Sequence, residues 1–392
     1  MLILYVLFGL FQALVGIHLV FPLLLYAFNR FRTESGTPPS ADTGFEADYA
    51  LIVTAYQQTY QLPEVIESLL RLRYTRYHIY VVADNCDVST LTLNHPRVTL
   101  LRPETVLASN TKSHFYAIRH FIRAHERLVI IDSDNRVDPD LLIQLDAAFN
   151  RGFSAVQGVR EAKNLDTDLA CLDAARDIYY HFYDGKLLFG AGSSATLAGS
   201  GMAFQVDLYE QCLGHLTIEG AGFDKVLQAE ILKRGYRIAF APEAIVYDEK
   251  TSGAQQLVGQ RARWINTWFR YFTFGFDLLG KGIRRQSWNQ FLFGIVLLRP
   301  PLFLLLGASV LFAVLNLFID PRFTWVWLGG LALFIAGFLL ALRQSATDRR
   351  IYAALYQIPR FVGYQIAALL KVRKANALSV ATHHGEPDQP NS

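Results

Sequence analysis

The sequence is short of charge and of cysteine. Asp, Glu, Lys and Arg make up 18% of its 392 residues, against about 25% in an ordinary soluble domain. With 52% hydrophobic residues, such a chain is not built for water alone. The net charge of +3 is too small to argue for nucleic acid as a partner. The basic residues gather beside apolar runs, which points to membrane lipids instead. The three cysteines, Cys86, Cys171 and Cys212, are odd in number and widely spaced. Neither a disulfide framework nor a zinc site follows from them, and a reducing compartment fits. There is no internal repeat, and no low-complexity block beyond a linker and the tail.

Long apolar runs are what the sequence has in excess. Residues 2–28 are apolar apart from Gln12 and His18, longer than the roughly 20 residues a helix needs to cross a bilayer. A signal peptide would show a basic start, a shorter core and a small-residue cleavage site, and none is evident. Arg30 and Arg32 follow at once and put that end in the cytoplasm. Two more spans are expected at 291–318 and 323–342, within residues 289–343. Lys281, Arg284 and Arg285 precede this pair, and Arg343, Arg349 and Arg350 follow it. The pair therefore reads as a hairpin that dips out of the cytoplasm and returns. Arg299, Pro300 and Pro301 interrupt the first span. A buried arginine must pair or snorkel; the preferred reading puts Arg299 at the interface, with the span starting at Pro301. Residues 265–288 read as an interfacial helix, 344–375 as an interfacial or spanning helix, and 376–392 as a cytoplasmic tail. The expected setting is a bacterial-type inner membrane, crossed several times.

Between the membrane segments, residues 29–48 read as a linker rich in Pro, Gly, Ser and Asp. Strand and helix then alternate: strands at 50–54, 78–83, 98–101, 128–131 and 153–159, and helices at 63–72, 111–124 and 139–149. The fold class is α/β, with a mostly parallel sheet covered on both faces. Ligands in such sheets bind beyond the carboxyl ends of the strands, so the residues there are the candidates.

Three strands end in polar residues: at Thr54-Ala55-Tyr56, at Asp84, and at Asp132-Ser133-Asp134. Asp132 and Asp134 are two apart, so both can point the same way from an extended segment. Two carboxylates so placed suit a hard divalent cation, Mg²⁺ or Mn²⁺, that also grips a diphosphate. Lys112, at a helix start, can reach a phosphate or a base. The turn Gly199-Ser200-Gly201 lets backbone approach a ligand. Asp224 opens a helix and can take a proton from an acceptor hydroxyl. On the helix from about residue 254, Gln260, Arg263 and Trp264 share one face. Arginine clamps a diphosphate, and the indole can stack on a sugar. Arg261 points off that face and is expected to meet lipid headgroups.

In order and spacing these residues resemble the inverting glycosyltransferases of family 2 with the GT-A fold, above all the membrane-integrated cellulose, chitin and hyaluronan synthases. The family order is nucleotide Asp, metal DxD, glycine-rich acceptor loop, catalytic Asp and QxxRW; here it is Asp84, Asp132/Asp134, Gly199 to Gly201, Asp224, and Gln260/Arg263/Trp264. The resemblance runs over the catalytic unit, residues 49–264, and into the following membrane segments. The segment 235–250 looks like the family's strand pair before QxxRW. The resemblance implies that Thr54, Ala55, Tyr56, Asp84 and Lys112 line a nucleotide pocket and that Asp132 and Asp134 hold the metal, with Ser133 between them. It makes Asp224 the general base, gives Gln260, Arg263 and Trp264 the leaving diphosphate, and gives Gly199, Ser200, Gly201, Phe223 and Trp264 the acceptor. Phe223 stands where the family usually has Glu. The stretch 380–384, with Thr382, His383 and His384, partly matches a later family motif near the donor site.

The first expectation is a transferase that extends a β-linked polysaccharide from a UDP-sugar. The alternative is a single addition to a membrane lipid. Three spans are few for a polymer channel in one chain, so the polymer reading asks for a homo-oligomer. A non-catalytic scaffold is disfavoured by the full acidic set and the QxxRW residues.

Overall fold

The computed structural model describes residues 2–31, 46–89, 91–218 and 220–374. Most of the expected linker, the tail, and Thr382, His383 and His384 lie outside the described residues. Eight strands form one sheet: β1 (Tyr49–Tyr56), β2 (Tyr77–Asp84), β3 (Val98–Leu101), β4 (Arg127–Asp132), β5 (Arg136–Val137), β6 (Ala155–Ala162), β7 (Met202–Gln205) and β8 (Ile238–Asp248). Their order is β3-β2-β1-β4-β7-β6-β8-β5. Only β7 and β5 run against their neighbours. The sequence YALIVTAY of β1 is apolar on both faces because both are covered.

Fifteen helices accompany the sheet: α1 (Leu2–Phe31), α2 (Leu62–Leu70), α3 (Asn110–Arg119), α4 (Leu141–Phe149), α5 (Asp168–Tyr180), α6 (Leu188–Gly190), α7 (Val206–Leu213), α8 (Phe223–Lys233), α9 (Ala254–Tyr271), α10 (Phe274–Arg284), α11 (Trp288–Leu298), α12 (Leu302–Ile319), α13 (Pro321–Gln344), α14 (Arg349–Ala354) and α15 (Ile358–Lys371). A π-helical stretch, His181–Leu187, joins α5 to α6. Val65 and Leu69 of α2 and Leu142 and Leu145 of α4 cover one face of the sheet. On the other face Tyr80, Phe204, Tyr209 and Leu227 merge with Leu19, Phe293, Phe312 and Phe334 in a single core. The catalytic unit and the apolar helices thus share their packing.

Among the described residues, three helices are long and apolar enough to cross a membrane: Tyr5–Phe31, Leu302–Ile319 and Pro321–Gln344. The expected span at 291–318 is two helices instead, α11 and α12. Pro300 and Pro301 remove backbone donors and bias Arg299 toward extended geometry, which it adopts (φ −63°, ψ 123°). Helix α3 ends five residues before the expected 124, at a frayed turn held by the His120 and Phe121 amides. The expected strand pair at 235–250 is one strand, β8, with its irregularity opposite Gln157 and Val159.

Candidate active site

The carboxyl ends of β1 and β4 are adjacent, with Thr54 paired to Asp132. Side chains alternate along β1. Thr54 and Tyr56 therefore face a cavity of about 1150 Å³, while Ala55 enters the core beneath. Asp132, Ser133 and Asp134 line the same cavity. The Asp132 amide donates to Ser200 Oγ (3.1 Å), which ties the acidic turn to the glycine-containing one. In that turn Gly199 lines the cavity, whereas Ser200 is wholly buried behind it. Gly201 has a left-handed backbone (φ 64°), and a Cβ there would sit 2.8 Å from Val246 Cγ2, so only glycine fits.

Asp84 and Lys112 stand apart from this group. Asp84 is buried, and its carboxylate accepts the amides of Leu107 (2.9 Å) and Ala108 (2.7 Å). It fixes the turn that leads into α3, where Asn110 reaches the cavity. Lys112 is exposed in the first turn of α3, and neither it nor Asp84 lines the cavity.

Asp224 and Phe223 enter from the start of α8. Gly222 caps that helix with φ 102°. A Cβ on it would lie 2.6 Å from Thr267 and 2.7 Å from Tyr271 of α9, so the glycine lets α8 and α9 meet. Lys225 Nζ sits 3.1 Å from the Asp224 carboxylate and 3.0 Å from the Leu197 carbonyl. Phe223 packs edge-on against His114 at 5.1 Å. Gln260, Arg263 and Trp264 of α9 complete this wall. Helix α9 runs on unbroken to Tyr271, so it carries only the first part of the segment expected as one interfacial helix at 265–288; the rest is α10 and the start of α11.

Asp132 and Asp134 are half-buried at the surface of a deep cavity. Burial, and then the charge of Asp134, push Asp132 up to about 7. Burial and then the charge of Asp248 push Asp134 up to about 7. Such a pair holds a proton unless a cation replaces it. The residues fit a divalent cation: two carboxylates face the cavity, and beside them Asn135 Oδ1 is buried without a hydrogen-bond partner. Among the described residues no group of three or more His, Cys, Asp or Glu would hold a metal alone.

Several lining residues were not anticipated. Arg160 and Asp248 lie at or near the carboxyl ends of β6 and β8 and form a buried ion pair (2.6 Å). The strand-end argument applied to β4 would have found both. Lys250, Asp177, Arg176 and Asp173 extend this pair toward α9. Arg160 and Lys250 outweigh the effect of burial and hold Asp248 down to about 2. Two sequence expectations need correction. Arg261 is not a lipid contact; it is 2% exposed and paired with Asp173. Arg299 pairs rather than snorkels: it is buried, and both its terminal nitrogens bind the Asp184 carboxylate. The span does start after Pro301, at Leu302.

The cavity does not end at the polar residues. Past Arg299 it is walled by Leu306, Val310, Leu331, Phe334, Ile335 and Leu339 of α12 and α13. Val310, Ile335 and Leu339 are 52%, 57% and 43% exposed. The apolar end therefore includes side chains that are exposed on the outside of the protein.

Residues 47–267 match the family model described as "Glycosyltransferase like family 2". The chain belongs to this family. It is a glycosyltransferase. The mannosyltransferase PcManGT from Pyrobaculum calidifontis, solved with GDP-Man and Mn²⁺, is 20% identical. It superposes with a TM-score of 0.59 over 92% of this chain and 97% of that one, which shows a common GT-A fold. Residues 1–349 of TarS from S. aureus, solved with UDP-GlcNAc, are 13% identical, cover 84% of this chain and 90% of that one, and give a TM-score of 0.42. No curated protein sequence matches the chain.

Proposed function

We propose that this glycosyltransferase adds a single sugar from a nucleotide-diphosphate sugar to a lipid acceptor, at the cytoplasmic face of a bacterial-type inner membrane. One observation carries the lipid reading. The cavity that holds the acidic pair and Asp224 continues into an apolar end walled by α12 and α13, where Val310, Ile335 and Leu339 are exposed. A hydrocarbon chain fits there while its polar head faces Asp224. A UDP-sugar is the donor of first choice; the GDP-Man of PcManGT makes the guanine nucleotide the first alternative to try.

In this reading Thr54, the Ala55 backbone and Tyr56 border the nucleotide. Asp84 serves it through the 107–108 turn, and Lys112 serves it by the reach of its side chain. Asp132 and Asp134 would hold Mg²⁺ or Mn²⁺, which supplies charge neutralisation at the diphosphate. Asp224 takes the proton of the acceptor hydroxyl as its oxygen attacks the anomeric carbon. The nucleoside diphosphate leaves on the opposite side, against Gln260 and Arg263. A single displacement of this kind inverts the anomeric centre. Gly199, Phe223 and Trp264 border the acceptor, and Ser200 and Gly201 support them from behind.

The polymer reading, as in cellulose, chitin and hyaluronan synthases, draws support from the QxxRW residues. It is disfavoured by the apolar character of the cavity's far end, where a glycan would need polar walls. Labelled UDP- and GDP-sugars offered with Mn²⁺ to the purified protein test the enzyme assignment. Turnover or hydrolysis of one donor is expected, and Asp134→Ala should abolish its metal-dependent binding. Unchanged affinity in that variant removes the metal assignment.

A further inference from the structure

Buried charges form a chain from the acidic pair to the tryptophan of α9. Asn135 is wholly buried, and its Nδ2 donates to Asp134 (2.8 Å) and to Asp248 Oδ1 (3.1 Å). The other Asp248 oxygen accepts from Arg160 (2.6 Å) and from Lys250 Nζ (2.7 Å). Lys250 also donates to Asp177 Oδ2 (2.6 Å). The other Asp177 oxygen binds Arg176. The Arg176 guanidinium lies over the Trp264 ring, 4.2 Å from its centroid. Lys250 is the branch point: it bridges the carboxylates of β8 and α5, and it is 2% exposed.

Ion pairs kept out of water are costly, and a hydrophobic set of similar volume is often as stable. A buried run of six charged or amide side chains therefore asks for a reason beyond stability. Its ends supply one. One end orients a carboxylate that faces the donor phosphates. The other sets the indole that faces the acceptor. Side chains behind a metal ligand fix its direction, and their loss typically weakens the metal about 10–100-fold.

We propose that Lys250 is a positioning residue that holds the cation-binding aspartate and the acceptor-facing tryptophan in register through Asp248–Asn135 on one side and Asp177–Arg176 on the other. The proposal rests on the reading above, in which Asp132/Asp134 take the cation and Trp264 borders the acceptor. Lys250 touches no reacting atom; it acts by removing two orientational freedoms at once. Arg160 shares Asp248 but donates to the Ala198 carbonyl (2.7 Å) rather than to α5, so it does not substitute for the bridge.

The test uses full-length protein in detergent. Mn²⁺ affinity is read by electron paramagnetic resonance with the nucleoside diphosphate present, and acceptor KM by steady-state transfer. The wild type is measured first. If it shows no nucleotide-dependent Mn²⁺ binding, the site reading falls and the proposal with it. Given that binding, Lys250→Met should weaken Mn²⁺ about 10–100-fold and raise acceptor KM, with kcat largely recovered at saturating metal and acceptor. Lys250→Arg should restore most of both losses. Asp177→Asn should raise acceptor KM while leaving Mn²⁺ affinity near wild type, because it cuts only the α9 branch. This last variant keeps an acceptor for Lys250 and reads the proposal even if Lys250→Met does not fold. A simple structural role would lower the active fraction, and hence kcat, with both affinities unchanged. That outcome in the folded variants overturns the proposal.

Discussion

Asp224 occupies the first turn of a helix, where an acidic residue also serves the helix dipole. Its placement in the cavity beside Lys225 and opposite α9 separates the two roles. Asp224→Asn keeps the size and shape of the side chain but removes the proton acceptor. It should bind nucleotide as the wild type does and lose about 10²–10⁴-fold in kcat. Calorimetry for binding and labelled transfer for rate check this, and turnover near wild type removes Asp224 from its role. A second residue makes a prediction about stability. His114 is wholly buried, with Nδ1 at 2.6 Å from the Tyr209 hydroxyl and Nε2 without a partner. Burial pushes its pKa down to about 3 from an ordinary value of 6.5. The unfolded chain therefore takes up this proton below about pH 6.5 while the folded chain does not. Stability from this group is present above that pH and drains as pH falls toward 3. The melting temperature of His114→Phe should fall less between pH 6.5 and 4 than that of the wild type. Parallel slopes contradict the assignment.

At the scale of elements, α9 supplies part of the cavity wall, and its face was legible in the sequence. Gln260, Arg263 and Trp264 recur at helical spacing and do share the cavity wall. The strands ending at Tyr56 and Asp132 were legible too, from apolar runs that stop at polar residues. What could not be read were pairings between distant segments. Arg261 finds Asp173 and Arg299 finds Asp184, and no periodicity links these positions. The π-helical stretch that presents Asp184 has no sequence signal of its own. Helix α11, the π stretch and α12 are held together by the Arg299–Asp184 pair, which is almost out of contact with water. Arg299→Met strands a buried carboxylate and should cost about 3–5 kcal/mol. Adding Asp184→Leu should recover most of it, because no unpaired charge remains. Thermal unfolding of the single and double variants decides; an additive double loss contradicts the account.

For the whole molecule, the outline of the fold followed from the alternation of strands and helices, and the spans from the length of the apolar runs. The continuity of the cavity did not, since it depends on how α12 and α13 sit against the sheet through a shared core. That continuity makes a blocking experiment possible. Ile335 is 57% exposed at the cavity's apolar end. Ile335→Trp should raise the KM for a lipid acceptor several-fold and leave nucleotide binding untouched. Equal KM values would mean that the acceptor does not use this end.

Central to the account is a single sugar placed on a lipid. The most direct measurement is to supply the purified enzyme with Mn²⁺, its labelled nucleotide sugar and membrane lipid extract, then determine the mass of the labelled product. The account predicts an organic-soluble species one sugar heavier than a lipid of the extract, absent with Asp224→Asn. A water-soluble product of many sugar units would contradict it and restore the polymer reading.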